Sequence, residues 1–227
     1  MNYRLNESGN VLFLILTVVF LFGALTYAAT SSSRFTGGQD SERETSRISG
    51  AELAQYAGFI ENAIARVMTF NDCSEDMISF EHTPFDGSDT DYVNPSSPTD
   101  FSCHIFHPNG GGVSDRLFGA ERFDFSGSRY IVDIGTTTTD PQDRADLYAM
   151  LAVGKRVCED VNERFDVTNP EAFPPVLDGH GEDDLFTGTF DGTNPVNQSD
   201  SRTYGAHSFC GENAAGIFRY IHVLLAR

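Results

Sequence analysis

The sequence predicts an α+β protein: an N-terminal transmembrane or stalk helix, then an antiparallel-sheet domain with two further helices and two disulfides. Three observations lead there. Residues 11–29 (VLFLILTVVFLFGALTYAA) run for nineteen positions without a charge, a proline or an amide. Everything after them is acidic and carries all four cysteines. Downstream, a segment with helical apolar spacing is followed by short β-rich stretches, a second helical stretch and a closing β-rich segment, with no βαβ rhythm. The chain of 227 residues divides accordingly into a leader or cytoplasmic tail over 1–9, a transmembrane helix over 10–30, a linker over 31–48 and an extracytoplasmic domain over 49–227.

The apolar run comes first. At 1.5 Å per residue a helix of that length reaches roughly 28 Å, about the thickness of a bilayer's hydrocarbon core. The first thirty residues contain Arg4 and Glu7, so the net charge of −18 sits on the remainder. A surface this acidic repels phosphate backbones, which excludes nucleic acid as a partner. It also disfavours docking on anionic lipid beyond what the apolar run imposes. Lys155 is the single lysine among fifteen basic residues, a compositional bias that marks no site.

Three readings of the N-terminus follow from the residues and their likeness to known proteins. A cleaved secretory signal could use Thr26-Tyr27-Ala28 as its small-residue site. A plain single-pass anchor needs only the apolar run. The third reading rests on Asn6-Glu7-Ser8-Gly9-Asn10-Val11-Leu12-Phe13-Leu14-Ile15-Leu16, which resembles the start of type IV pilin-like proteins, of minor pilin or pseudopilin type. That resemblance implies leader cleavage after Gly9, with Asn10 as the new N-terminus, and a helix that serves as both membrane segment and assembly stalk. Such pilins usually carry Glu at the fifth mature position. Here that position is Leu14, which points to a minor subunit. The implied location is the inner membrane, crossed once, with the C-terminal domain periplasmic or extracellular. The implied partners are that membrane and other pilin-like or envelope proteins.

Residues 31–39 (SSSRFTGGQ) read as a linker or helix break. Ser49 and Glu52 have capping-box spacing. Beyond them Leu53, Tyr56, Ala57, Ile60, Ile64, Val67 and Met68 form an amphipathic stripe, with Gly58 weakening the helix by about 1 kcal/mol. Residues 82–100 read as an acidic loop. Its Asp86, Asp89 and Asp91 raise calcium by composition, without the EF-hand pattern. Segments 101–106 and 113–118 flank Pro108-Asn109-Gly110-Gly111-Gly112 and predict a hairpin. Segments 123–125 and 129–134 predict a second strand pair around Ser126-Gly127-Ser128.

Asp140-Pro141 opens the second helix, with Leu147, Met150, Leu151, Val157, Val161 and Phe165 as its buried stripe. Residues 169–201 predict a long surface loop with a short hairpin over 185–190. Residues 217–225 predict a closing strand. Cys73, Cys103, Cys158 and Cys210 allow three pairings, and no C-x-x-C unit favours zinc. In an oxidising compartment two disulfides are expected. Nearest-neighbour pairing closes local loops and contributes about 3–4 kcal/mol per bridge.

The sequence singles out no catalytic residue, no metal site and no cofactor. His104 and His107 beside Cys103 would point to opposite faces of a strand. His180 lies in a polar stretch. His207 and Ser208 lack a Gly-x-Ser-x-Gly elbow. His222 alternates with Tyr220 and Leu224 and reads as half-buried. The function expected is non-enzymatic: a membrane-anchored pilin-like subunit of a type IV pilus or related secretion apparatus. The alternatives are a stand-alone single-pass protein with an acidic ligand- or partner-binding domain, or a periplasmic metal-dependent hydrolase using His104, His107 or the acidic loops.

Overall fold

A computed structural model describes residues 8–36, 39–82, 92–135, 140–179 and 184–227. The chain forms two compact units, Met1–Thr45 and Ser46–Arg227.

In the first unit, helix α1 spans Ser8–Thr36. Its large apolar side chains from Phe13 to Tyr27 are exposed. The hydroxyl of Thr17 donates to the carbonyls of Phe13 (3.0 Å) and Leu14 (2.9 Å), hiding a polar group against the helix backbone. Among the described residues, no helix is long and apolar enough to cross a membrane. This overturns the transmembrane helix expected over 10–30 and the single-pass inner-membrane location drawn from it. Residues 13–27, the described stretch of exposed apolar side chains, extend about 22 Å as a helix, short of the roughly 30 Å core. The linker expected over 31–48 is helical on either side of residues 37 and 38, which lie outside the described set.

Helix α2 spans Gln39–Phe70, and its residues from Ser46 onward belong to the second unit. Ser49 and Glu52 therefore sit inside a helix rather than at its start. The segment before them is rich in Glu and Arg and free of proline, so nothing in it stops a helix. Leu53, Tyr56, Ala57, Ile60, Ala63, Ile64 and Val67 are buried, the i, i+3, i+4 stripe expected of an amphipathic helix.

That stripe packs on a five-stranded sheet: β1 (Asp124–Tyr130), β2 (Asp146–Val153), β3 (Asn194–Pro195), β4 (Ser208–Glu212) and β5 (Phe218–Leu225). The spatial order is β3-β1-β2-β5-β4. Three pairings are antiparallel, but β3 runs parallel to β1. The sheet is mixed, which corrects the antiparallel expectation. The parallel pair arises because β3 is a two-residue contact from a long connection that returns to the far edge of the sheet.

Strand alternation divides the interior. Leu147, Ala149, Leu151, Tyr220 and Leu224 share one cluster with α2. Tyr148, Met150, Phe209, Ile221 and Val223 turn to the other face, where Ile131, Val167, Leu177 and Val196 cover them. The protein is α+β with two layers of core.

Several local expectations are corrected. The helix expected from Asp140 is only α3 (Pro141–Arg144), capped by the Asp140 carboxylate, which accepts from the Gln142 N–H at 3.0 Å. Residues 146–153 form the central strand instead, and Gly154 precedes helix α4 (Lys155–Arg164). A strand buried on both faces is a continuous apolar run, whose pattern does not separate it from a helix. Segments 101–106 and 113–118 form turns and isolated bridges rather than a hairpin. Gly110 and Gly111 matter there for close approach. A Cβ on them would lie 2.2 Å from the His104 oxygen and 2.3 Å from the Ile105 oxygen. Segments 123–125 and 129–134 are not a pair, since β1 crosses Ser126-Gly127-Ser128 with a bulge. In place of a hairpin over 185–190, the Phe186 N–H donates to the Phe125 carbonyl at 2.8 Å. Residues 217–225 do close the sheet, as β5.

The disulfides are Cys73–Cys103 and Cys158–Cys210, the nearest-neighbour pairing. The first ties the end of α2 to the turn region. The second ties α4 to β4.

Candidate functional site

Two places in the second unit gather polar chemistry against α2. The first is built by strand register. On β5, alternation aims Tyr220, His222 and Leu224 at the α2 side, and the β4–β5 pairing sets Ser208 opposite His222. Helix α2 contributes Glu61 from one turn beyond buried Ala57 and directly after buried Ile60.

The result is a linear relay. Ser208 Oγ lies 2.5 Å from His222 Nδ1, and His222 Nε2 lies 3.1 Å from Glu61 Oε2. Tyr220 Oη lies 3.4 Å from the same Nδ1. With a neutral ring, Nε2–H donates to the Glu61 carboxylate and Nδ1 accepts from the serine; this tautomer is assigned from the network. Burial pulls the His222 pKa below its ordinary value, and the hydrogen bond and charge of Glu61 oppose that fall. Burial raises the Tyr220 hydroxyl, keeping it protonated.

A serine, a histidine and an acid in this order resemble a hydrolytic relay, but solvent enters at the wrong end. Ser208 is 3% exposed, whereas the Glu61 side chain is 50% exposed. A nucleophile needs its substrate within about 3–3.5 Å. Here the hydroxyl is inside and the carboxylate outside. The relay therefore fastens α2 to the β4–β5 edge of the sheet. Sequence reading finds His222 by alternation but not its partners, because Glu61 precedes it by 161 positions in the chain.

The second place is a groove of about 550 Å³ between α2 and residues 111–116. Its walls include Tyr56, Phe59, Ala63, Arg66, Val113 and Arg116. Phe59 is exposed on the outer face of α2. Tyr56 Oη donates to the Ser114 carbonyl at 3.0 Å, and Arg66 donates to the Gly111 carbonyl, so the far wall is hung from the helix. Arg116 pairs with Glu52 at 3.4 Å, and Asp115 with Arg122 at 3.3 Å.

The sequence-derived candidates are dispersed. His104 is buried, 4.0 Å from Glu81. Burial lowers its pKa, assisted by His107, while Glu81 raises it. His107 stacks on Phe101 with ring centroids 4.5 Å apart, and its Nδ1 accepts from the Asn109 N–H. Cys103 is in a disulfide. Among the described residues, no group of three or more His, Cys, Asp or Glu is placed to hold a metal ion. Asp86, Asp89, Asp91 and His180 lie outside the described residues. Gly9 and Asn10 fall in the first turn of α1.

Comparison with protein-family models, with curated proteins and with solved structures finds no match for this chain.

Proposed function

We propose that this chain is a non-enzymatic structural subunit of the pilin-like kind, which associates with like subunits through α1. One observation carries the reading. Phe13, Leu14, Ile15 and Leu16 are consecutive and exposed, as are Val18 through Phe22. Consecutive helical residues point about 100° apart, so the apolar surface runs round the helix rather than along one stripe. A surface of this kind is covered in a stable protein. Helices of neighbouring copies supply matching apolar surface, and a disulfide-locked second unit gives each copy its own stable body. Removal of a leader after Gly9, leaving Asn10 as the N-terminus, belongs to the same reading.

The test compares the full chain with its Leu16→Glu/Phe20→Glu variant by light scattering in detergent-free buffer. The reading expects multi-subunit particles in the first and single chains in the second. Particles of equal mass in both overturn it.

A further inference from the structure

We propose that the groove between α2 and residues 111–116 receives Phe70 and Asp72 of a second copy of this chain. The inference rests on the reading of the chain as an assembly subunit and adds a second contact to the one made by α1.

Phe70 is 78% exposed, the highest value among the exposed large apolar side chains of the described residues. It stands at the last position of α2, and the chain then turns sharply, with Asp72 in the left-handed backbone region at φ 54°. That corner is pinned. Cys73 is bridged to Cys103, the Asn71 N–H donates to the Val67 carbonyl, and Asn71 Nδ2 donates to the Ser102 carbonyl at 2.7 Å. An aromatic ring and a carboxylate are thus held out two residues apart on a rigid knuckle, so little freedom is lost when they dock.

The groove offers the complement. Phe59 and Ala63 supply apolar wall, and the space exceeds one aromatic side chain. Arg66 and Arg116 line it in a chain that carries 33 acidic against 15 basic residues. Arg66 donates to Gly111, and its planar fork of five donors can serve a carboxylate beside that bond. A second copy is the occupant because this chain itself presents the matching pair, an exposed Phe with an Asp two positions on.

Phe70 stands one turn beyond Arg66, at the end of the helix face that walls the groove, so knuckle and groove adjoin and two copies can exchange Phe70 reciprocally. A single aromatic anchor buries only about 150–250 Å², too little to hold copies together alone. It sets the register of subunits that α1 brings together.

The test places a photo-reactive benzoylphenylalanine at position 70 of the full chain, mixed with isotope-labelled unmodified chain. Irradiation should join label-distinct copies, with attachment mapped to residues 56–66 or 111–116. Phe70→Ser should weaken association about tenfold, and Phe70→Trp should retain it. Assemblies that form but attach position 70 elsewhere, or nowhere, overturn the groove contact and leave the α1 reading standing. A chain that stays single overturns both.

Discussion

The side-chain amide of Asn162 takes the place of a neighbouring strand beside Cys210. Its Oδ1 accepts from the Cys210 N–H at 2.7 Å, and its Nδ2 donates to the Cys210 carbonyl at 2.9 Å. β4 is an edge strand, and an edge with open backbone groups invites another chain to pair with it. Asn162 closes the middle of that edge. Farther along, the Glu212 N–H donates to the Pro175 carbonyl at 2.7 Å, and its carbonyl accepts from the Leu177 N–H at 2.9 Å. The opposite edge, β3, is two residues long and ends in Pro195. Both edges are blunted, so association by sheet extension is disfavoured.

Asn162→Ala should therefore destabilise the fold by about 2–4 kcal/mol, because two buried backbone groups lose their partner at once. Urea unfolding reads this as a lower midpoint. A midpoint unchanged from the parent would show that the edge is satisfied in some other way.

Two buried groups give stability a pH dependence of opposite sign. Burial pushes the Asp146 carboxyl up to about 6, against the pull of the N–H groups of Ile131 (2.8 Å) and Arg227 (3.1 Å). A carboxyl raised in the folded state contributes stability that is full below its unfolded pKa, near 3.8, and lost as the pH rises through about 6. His222 is lowered in the folded state. Its contribution is present above 6.5 and is lost as the pH falls through its lowered folded value. His222→Gln should abolish the loss on acidification below 6.5. An identical pH–stability curve in that variant would remove His222 as its cause.

The two bridges should differ modestly. Cys158–Cys210 separates its cysteines by 52 positions and Cys73–Cys103 by 30. Loop-closure entropy assigns about 4 kcal/mol to each, with the longer loop worth roughly half a kcal/mol more. Paired Cys→Ala variants, compared by chemical denaturation, should follow that order. Loss of the shorter bridge alone should also loosen the knuckle at Phe70.

Gly111→Ala should destabilise by at least about 1–3 kcal/mol, because the new Cβ would lie 2.3 Å from a backbone oxygen that is fixed in place. Gly119→Ala has open space around it, but its φ of +69° still strains an L side chain, at about 1 kcal/mol. Thermal unfolding of both variants checks the order.

How much of this was legible in the sequence depends on range. The α2 stripe from Leu53 to Val67 and the strand after Ile217 follow from local periodicity, and both appear where that pattern places them. β2 was not legible as a strand, since DLYAMLAV is buried on both faces and its spacing imitates a helix. β4 is five residues long and holds Gly211, so it carries little strand signal. The apolar length of residues 11–29 pointed to a membrane span that the described part of α1 does not bear out. Among site residues, the cysteines could be paired by proximity in sequence. The Glu61–His222–Ser208 relay and the Asn162 edge cap depend on register between elements far apart in the chain, which no local pattern encodes.

The most direct test of the central claim is sedimentation velocity of the unmodified full chain over a dilution series without detergent. Species of several subunits that dissociate as concentration falls are expected, because exposed α1 surfaces would be covered by one another. A single species with the mass of one chain at every concentration would contradict it.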